Sequence, residues 1–193
     1  NIFTKKPKEG FHRNFQYKTG SNGTQNLAGS ISGANKNNNF YIGLERFHTD
    51  GISAMTHNEE KDRYRNNSII AKYDHIFSED FKVQTNYRLT DTYMQYDKVV
   101  DTATATHDEE VDAIESSTSI NLTHNTSEKF INKLTLANTY IKRIYGATQN
   151  SGNALQDNYY GKRYLISYTG NYNFNLDNSI VFGAERENDS IGY

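Results

Sequence analysis

The sequence predicts an all-β protein whose antiparallel strands form a fragment of a transmembrane β-barrel. Three observations lead to this fold class: side chains that alternate between apolar and polar, connections that alternate between short and long, and a phenylalanine beside each short connection. The composition agrees, because 15 tyrosines and 10 phenylalanines accompany a single proline, Pro7. Aromatic residues are enriched in strands, whereas proline is depleted there.

Alternation with a period of two residues is clearest at 81–89 and 159–174. In the first segment one face is mostly apolar and the other polar: Phe81, Val83, Thr85, Tyr87 and Leu89 against Lys82, Gln84, Asn86 and Arg88. Less regular alternation predicts further strands at 11–19, 27–34, 39–47, 67–77, 113–124, 130–145 and 179–187. The total is about nine strands, each close to the length that a tilted membrane strand needs.

The predicted connections are short on one side of the sheet and long on the other. Short turns are predicted at 35–39, 78–80, 125–129 and 175–178, and long polar segments at 48–66, 94–112 and 146–158. The connection at 20–25 is an exception, because it is short on the side where the others are long. This alternation is typical of outer-membrane barrels, whose periplasmic turns are short and whose extracellular loops are long.

Aromatic residues border the short turns and predict a girdle at one membrane interface: Phe40, Phe77, Phe81, Phe130 and Phe174. The opposite girdle has its own candidates, which are Tyr93, Tyr140, Tyr145 and Tyr160. The alternative interpretation is ordinary aromatic pairing beside hairpin turns.

Several classes of function find no support in the sequence. The net charge of −2 and the pI near 6.3 offer no basic face, so nucleic acid is not an expected partner. There is no cysteine, the six histidines are scattered, and neither Gly-x-Ser-x-Gly nor a phosphate-binding glycine loop is present. We therefore expect no enzymatic activity. The alternative is a Ser/His/Asp set brought together in space, as in barrel-shaped phospholipases and proteases of the outer membrane.

Two stretches resemble TonB-dependent receptors. The opening Asn-Ile-Phe-Thr-Lys-Lys at 1–6, followed by Gly10 and the first alternating strand, is similar to the end of the plug domain in that family. Asp-Gly-Ile-Ser-Ala at 50–54 and Glu-Lys-Asp-Arg-Tyr-Arg-Asn at 60–66 resemble a stretch of the vitamin B12 (cobalamin) receptor branch.

The resemblance implies that residues 1–9 end a plug and that residues 10–193 begin a barrel of about 22 strands. It further implies a bacterial outer-membrane receptor that takes up a scarce nutrient such as cobalamin, energised by the TonB complex through a segment before residue 1. Outer-membrane lipid and the nutrient would be its other partners. The alternatives are a siderophore receptor of the same family, a passive porin or structural barrel, and a secreted β-rich adhesin.

Calcium is the one cofactor that the resemblance suggests, bound by acidic side chains in the loops after strands three and five. Carboxylate oxygens are the ligands that this cation prefers, and the candidates are Asp50, Glu60 and Asp62 in one loop and Asp97 and Asp101 in the other. The alternative is a solvated loop in which Lys61, Arg63 and Arg65 neutralise the carboxylates.

Ligand contact is the expected use of the long loops. Flat amphipathic rings and a flexible thioether suit a large planar ligand, so the candidate contacts are Met55, Tyr64 and Tyr96.

Overall fold

Nine antiparallel strands form one sheet in the computed structural model, which describes residues 7–52, 61–99, 106–147, 157–175 and 177–193. At 97–99, 106–108 and 147 only the backbone is described. The strands are β1 (Gly10–Thr19), β2 (Gln25–Ala34), β3 (Asn38–Thr49), β4 (Tyr64–Ile76), β5 (Phe81–Val99), β6 (Thr106–Ser127), β7 (Phe130–Ala147), β8 (Asp157–Asn173) and β9 (Ser179–Gly192). Each pairs with the next along the chain. The all-β, antiparallel prediction is confirmed.

The sheet is open, because β1 and β9 are its two edges and do not pair with each other. Within the described ranges there is no helix, and hence none long and apolar enough to cross a membrane.

Asparagine and serine side chains close three of the short turns. The Asn35 Oδ1 accepts hydrogen bonds from the backbone N–H groups of Asn37 and Asn38 at 3.0 and 2.8 Å. Asn175 accepts two equivalent bonds at 3.0 and 2.9 Å, and the Ser78 Oγ accepts two at 3.2 and 3.1 Å. Side chains of this kind imitate a backbone turn, which explains why these residues occupy the turn positions.

The hairpin of β5 and β6 is longer than the sequence predicts. Its ladder continues from Phe81 opposite His124 to Val99 opposite Thr106. The predicted loop at 94–112 is therefore wrong over most of its length, since 94–99 and 106–112 are strand. The reason is that backbone pairing does not require an apolar face, and this segment is polar on both sides for much of its length.

One face of the sheet is apolar and the other is polar across most strands. A single row of cross-strand partners on the apolar face contains Phe40, Tyr73, Thr85, Ile120, Leu136 and Ile166. The adjacent row on the polar face contains Asn39, Asp74, Gln84, Asn121, Thr135, Ser167 and Glu185. Because side chains alternate along a strand, the register assigns each strand residue to one of these two faces. In β9 the apolar row continues with Arg186, the partner of Ile166, so the division by polarity holds across most strands but not at every position.

Polar side chains satisfy one another on the polar face. Asp74 accepts a hydrogen bond from Gln84 at 3.3 Å and lies 3.7 Å from the Lys82 ammonium. Thr135 donates to the Asn121 side chain at 2.9 Å. These cross-strand pairs indicate that the polar face needs no covering layer.

No layer formed by the described residues covers the apolar face. Val111 is the one apolar residue that is buried in the described part of the chain, at 8 % exposure. Large apolar side chains elsewhere remain exposed, among them Phe15 at 73 %, Leu44 at 55 % and Ile166 at 47 %. An apolar surface of this extent is unstable in water and requires an apolar environment.

Aromatic rings form a row of contacts on the apolar face near the short turns. Phe77 contacts His75 and Phe81 with ring centroids 4.2 and 5.3 Å apart, and Phe81 contacts His124 at 6.0 Å. The row continues at the same end of the strands, where Phe130 contacts Tyr172 and Phe182. On the β1 side of the sheet, Phe11 contacts Phe40. The predicted row of rings is therefore present at the end of the sheet with the short turns.

Two glycines in this row are covered by the phenylalanine of the neighbouring strand. Gly33 is the cross-strand partner of Phe40, and Gly170 that of Phe182. A Cβ built on either glycine would lie 2.6 Å from Phe40 Cε1 or 2.5 Å from Phe182 Cζ. The rings thus occupy the space that the missing side chains leave, an arrangement that compensates for glycine in a strand.

Candidate functional site

A recess of about 310 Å³ lies on the polar face, near the ends of the strands that the long connections join. Cross-strand pairing builds it, because Tyr64, Met94, Val111 and Tyr145 form one row across β4 to β7. This row is apolar or aromatic, in contrast to the polar row near the short turns. The recess is therefore a place where the polar face offers an apolar contact surface.

Hydrogen-bonding groups surround this apolar floor. The Tyr96 hydroxyl donates to the Glu109 Oε2 at 2.8 Å, and burial together with that carboxylate raises the pKa of Tyr96 to about 12. The Arg143 guanidinium donates to the Glu115 Oε1 at 3.1 Å, and its bonds to Glu115 and Tyr145 raise its pKa. Tyr96 thus remains a neutral hydrogen-bond donor at physiological pH, and Arg143 remains a cation.

Aromatic rings also border the recess. Tyr145 contacts Tyr159 of β8 edge to face, with centroids 5.6 Å apart and an angle of 85° between the planes. On the β4 side, Tyr64 contacts Phe47 at 5.8 Å. The combination of rings, a thioether and a few oriented polar groups suits a ligand with a flat apolar surface and polar edges.

Two of the three predicted ligand residues lie at this recess. Tyr96 lines it, and Tyr64 lies beside Met94 in the same row. Both belong to strands, so the expectation that they lie on loops is wrong. Met55 lies outside the described residues. The prediction missed Met94 and Val111, whose signal is an apolar residue at a position that the alternation assigns to the polar face. It also missed Arg143, which no such signal marks in the sequence.

The predicted calcium ligands are only partly described. The Asp50 Oδ1 lies 3.3 Å from the His48 Nε2, and the Asp62 carbonyl closely approaches Gly51. Glu60, Asp101 and the side chain of Asp97 fall outside the description. No group of three or more His, Asp or Glu residues placed to hold a metal occurs in the described ranges, and the calcium site stays a prediction.

Near the long connections, the apolar face carries charged and aromatic groups. The Arg65 guanidinium lies 5.6 Å from the centre of the Tyr93 ring, and the Tyr93 hydroxyl donates to Glu110 at 2.9 Å. Burial, Glu110 and Asp91 raise the pKa of the neighbouring Asp112 carboxyl, against the opposing effect of Arg65. The end of this face near the long connections is therefore polar and suited to a polar environment.

The predicted tyrosine girdle is divided between the two faces. The register places Tyr93, Tyr140 and Tyr160 on the apolar face, but Tyr145 on the polar face in the recess. Its inclusion in the girdle is therefore wrong, because Tyr145 is an odd-numbered position of β7 whereas Tyr140 is an even-numbered one.

No protein-family model matches the sequence. No curated protein matches it either.

Proposed function

We propose that this sheet is part of the wall of a transmembrane β-barrel in a bacterial outer membrane, with the apolar face on lipid and the polar face on the lumen. The observation that carries the proposal is the division into two faces: across most strands, no layer of described residues covers the apolar side chains. In water such a sheet would aggregate through its apolar face and its edges, whereas lipid satisfies that face.

The dimensions of the apolar face support the proposal. On the apolar face of β7, Phe130 and Tyr140 are the two outermost aromatic residues, and Asn132, Leu134, Leu136 and Asn138 lie between them. Ten residue steps of about 3.3 Å at a tilt of about 40° give a height of roughly 25 Å. This height equals the apolar band of an outer-membrane barrel, which is flanked by an aromatic girdle on each side.

We further propose that the barrel belongs to a TonB-dependent receptor for a scarce nutrient such as cobalamin, with residues 1–9 ending its plug. The resemblance at 1–6 and 50–66 supports this, and so does the recess formed by Tyr64, Met94, Tyr96 and Tyr145 on the face assigned to the lumen. A planar ligand entering from the long connections would meet these rings before the polar wall below them.

The experiment is ligand retention by the full-length protein in detergent, with cyanocobalamin and a ferric siderophore as the two probes. Tyr96→Ala and Met94→Ala should each weaken binding roughly tenfold, because each removes part of the contact surface. Tyr41→Ala is the matched control, since Tyr41 lies on the same face but close to the short turns. Retention of the siderophore alone would replace cobalamin as the nutrient.

Retention of neither probe by a folded barrel would contradict the receptor proposal and favour a passive pore. The barrel itself has a separate readout, which is insertion of the protein into phospholipid vesicles with a heat-sensitive electrophoretic mobility. A protein that stays monomeric and folded in water without detergent would contradict the barrel proposal.

A further inference from the structure

Two lysines and two tyrosines form a checkerboard on the apolar face of β7 and β8. Lys142 is the cross-strand partner of Tyr160, and Tyr140 is the partner of Lys162. All four are even-numbered positions of their strands and therefore share one face. The Lys162 ammonium lies 5.8 Å from the centre of the Tyr140 ring, which keeps the cation over the aromatic surface. We call these four residues the lysine–tyrosine quartet.

The two cations of the quartet have no carboxylate partner in the described part of the chain. On the β6 side the cross-strand neighbours are Ser116 and Ile114, and on the β9 side they are Ser190 and Gly192. Asp112 is the carboxylate diagonal to Lys142 on this face, and the charges that shift its pKa are those of Glu110, Arg65 and Asp91, not that of Lys142. Two adjacent positive charges without a counter-ion attract an anion.

The position of the quartet identifies the anion, an argument that depends on the proposed contact of this face with lipid. The quartet begins at Tyr140, ten residue steps from the phenylalanine row, which is the level at which the proposed membrane band of about 25 Å would end. Groups at this level of a membrane meet lipid headgroups, where lysine extends its charge towards phosphate and tyrosine places its hydroxyl in the polar layer.

We propose that the lysine–tyrosine quartet binds the phosphate of an anionic lipid headgroup. The ammonium groups of Lys142 and Lys162 supply two charges to the phosphate oxygens, and the hydroxyls of Tyr140 and Tyr160 supply hydrogen-bond donors. The arrangement selects charge rather than a particular headgroup, because the lysines act as point charges.

The test is lipid binding by the full-length protein in a neutral detergent, measured by native mass spectrometry with phosphatidylglycerol and phosphatidylcholine. Phosphatidylglycerol should bind more tightly, and replacing both lysines (Lys142→Gln with Lys162→Gln) should reduce its affinity roughly 10- to 30-fold. Arginine at both positions should retain the preference, since the charge is kept. Lys72→Gln with Lys133→Gln is the control pair, because both of those lysines lie on the polar face.

Equal affinity of the unmodified protein for the two lipids would overturn the proposal, as would an equal loss in the control pair. These outcomes are distinct from failure of the barrel proposal. If the barrel proposal fails, the unmodified protein will not insert into vesicles at all. A barrel without this lipid site would insert and show no preference for phosphatidylglycerol over phosphatidylcholine.

Discussion

Replacing Leu136 by arginine places a charge in the middle of the apolar face. Leu136 lies on β7 between Ile120 and Ile166 of the neighbouring strands, six residue steps from Phe130. If lipid covers this face, the arginine enters the centre of the hydrocarbon layer. If water covers this face, the same change replaces an exposed leucine side chain by a hydrophilic one.

The two situations differ by several kcal/mol in the free energy of folding. A charged arginine at the midplane of a barrel costs about 2–4 kcal/mol. Leu136 leaves 38 % of its surface exposed on the sheet, and covering about that share of a leucine is worth ~1 kcal/mol. The expected destabilisation in a bilayer is therefore about 3–5 kcal/mol, equivalent to a 10²- to 10³-fold change or more in the folding equilibrium.

The neighbouring residue supplies the matched control. Ala137 follows directly in β7, but its side chain lies on the polar face between Ser119 and Leu165. Ala137→Arg should change the free energy of unfolding by about 0.5 kcal/mol or less, because the arginine reaches water in the lumen. The same residue type is thus introduced at adjacent positions on opposite faces, and the loss of the leucine side chain adds the ~1 kcal/mol given above at Leu136 alone.

The assay is urea titration of the full-length variants in phosphatidylcholine vesicles, followed by the loss of the heat-sensitive folded band. Leu136→Arg should lower the midpoint strongly, and Ala137→Arg should leave it almost unchanged. Equal midpoints for the two variants would refute the assignment of the faces. A larger loss with Ala137→Arg would reverse it.

Three further changes test the local structure. Gly170→Ala should cost ~1–3 kcal/mol in urea unfolding, since the new Cβ displaces the Phe182 ring; an unchanged midpoint would contradict this. Burial and nearby carboxylates raise the pKa of Asp112, so the folded state binds the proton more tightly than the unfolded state does. The folded state therefore loses stability as the pH rises above the ordinary pKa of an aspartate. Asp112→Asn should therefore raise the melting temperature at pH 7 but not near pH 3, and equal gains would argue against it. Arg163 donates to both carboxylate oxygens of Asp189 at 2.8 and 2.7 Å, and a double-mutant cycle should give a small favourable coupling that salt abolishes.

Much of the fold was predictable because strands alternate side chains between two faces. The positions of all nine strands follow from that pattern, and the short turns follow from asparagine and serine side chains that bond to the backbone. The prediction failed at 94–112, where frequent polar and charged residues interrupt the period-two signal. Backbone pairing across the β5–β6 hairpin continues there regardless of side-chain polarity.

The candidate site was harder to predict than the strands. Tyr64, Met94, Val111 and Tyr145 are distant in sequence, and they meet because three successive hairpins have a particular register. A shift of one residue in any of these hairpins would move a side chain to the opposite face. Residue type alone therefore could not separate Tyr145, which lines the recess, from Tyr140, which lies on the apolar face.

The sequence by itself determined that this protein consists of two-faced strands joined by alternating turns, because these properties depend on residues that are close along the chain. The tertiary structure decided which residues form a row across the sheet, and so where the recess and the lysine–tyrosine quartet lie. The physical reason is that register is fixed jointly by each turn and by the pairing of both strands. Cross-strand neighbours then become spatial neighbours whatever their separation in sequence.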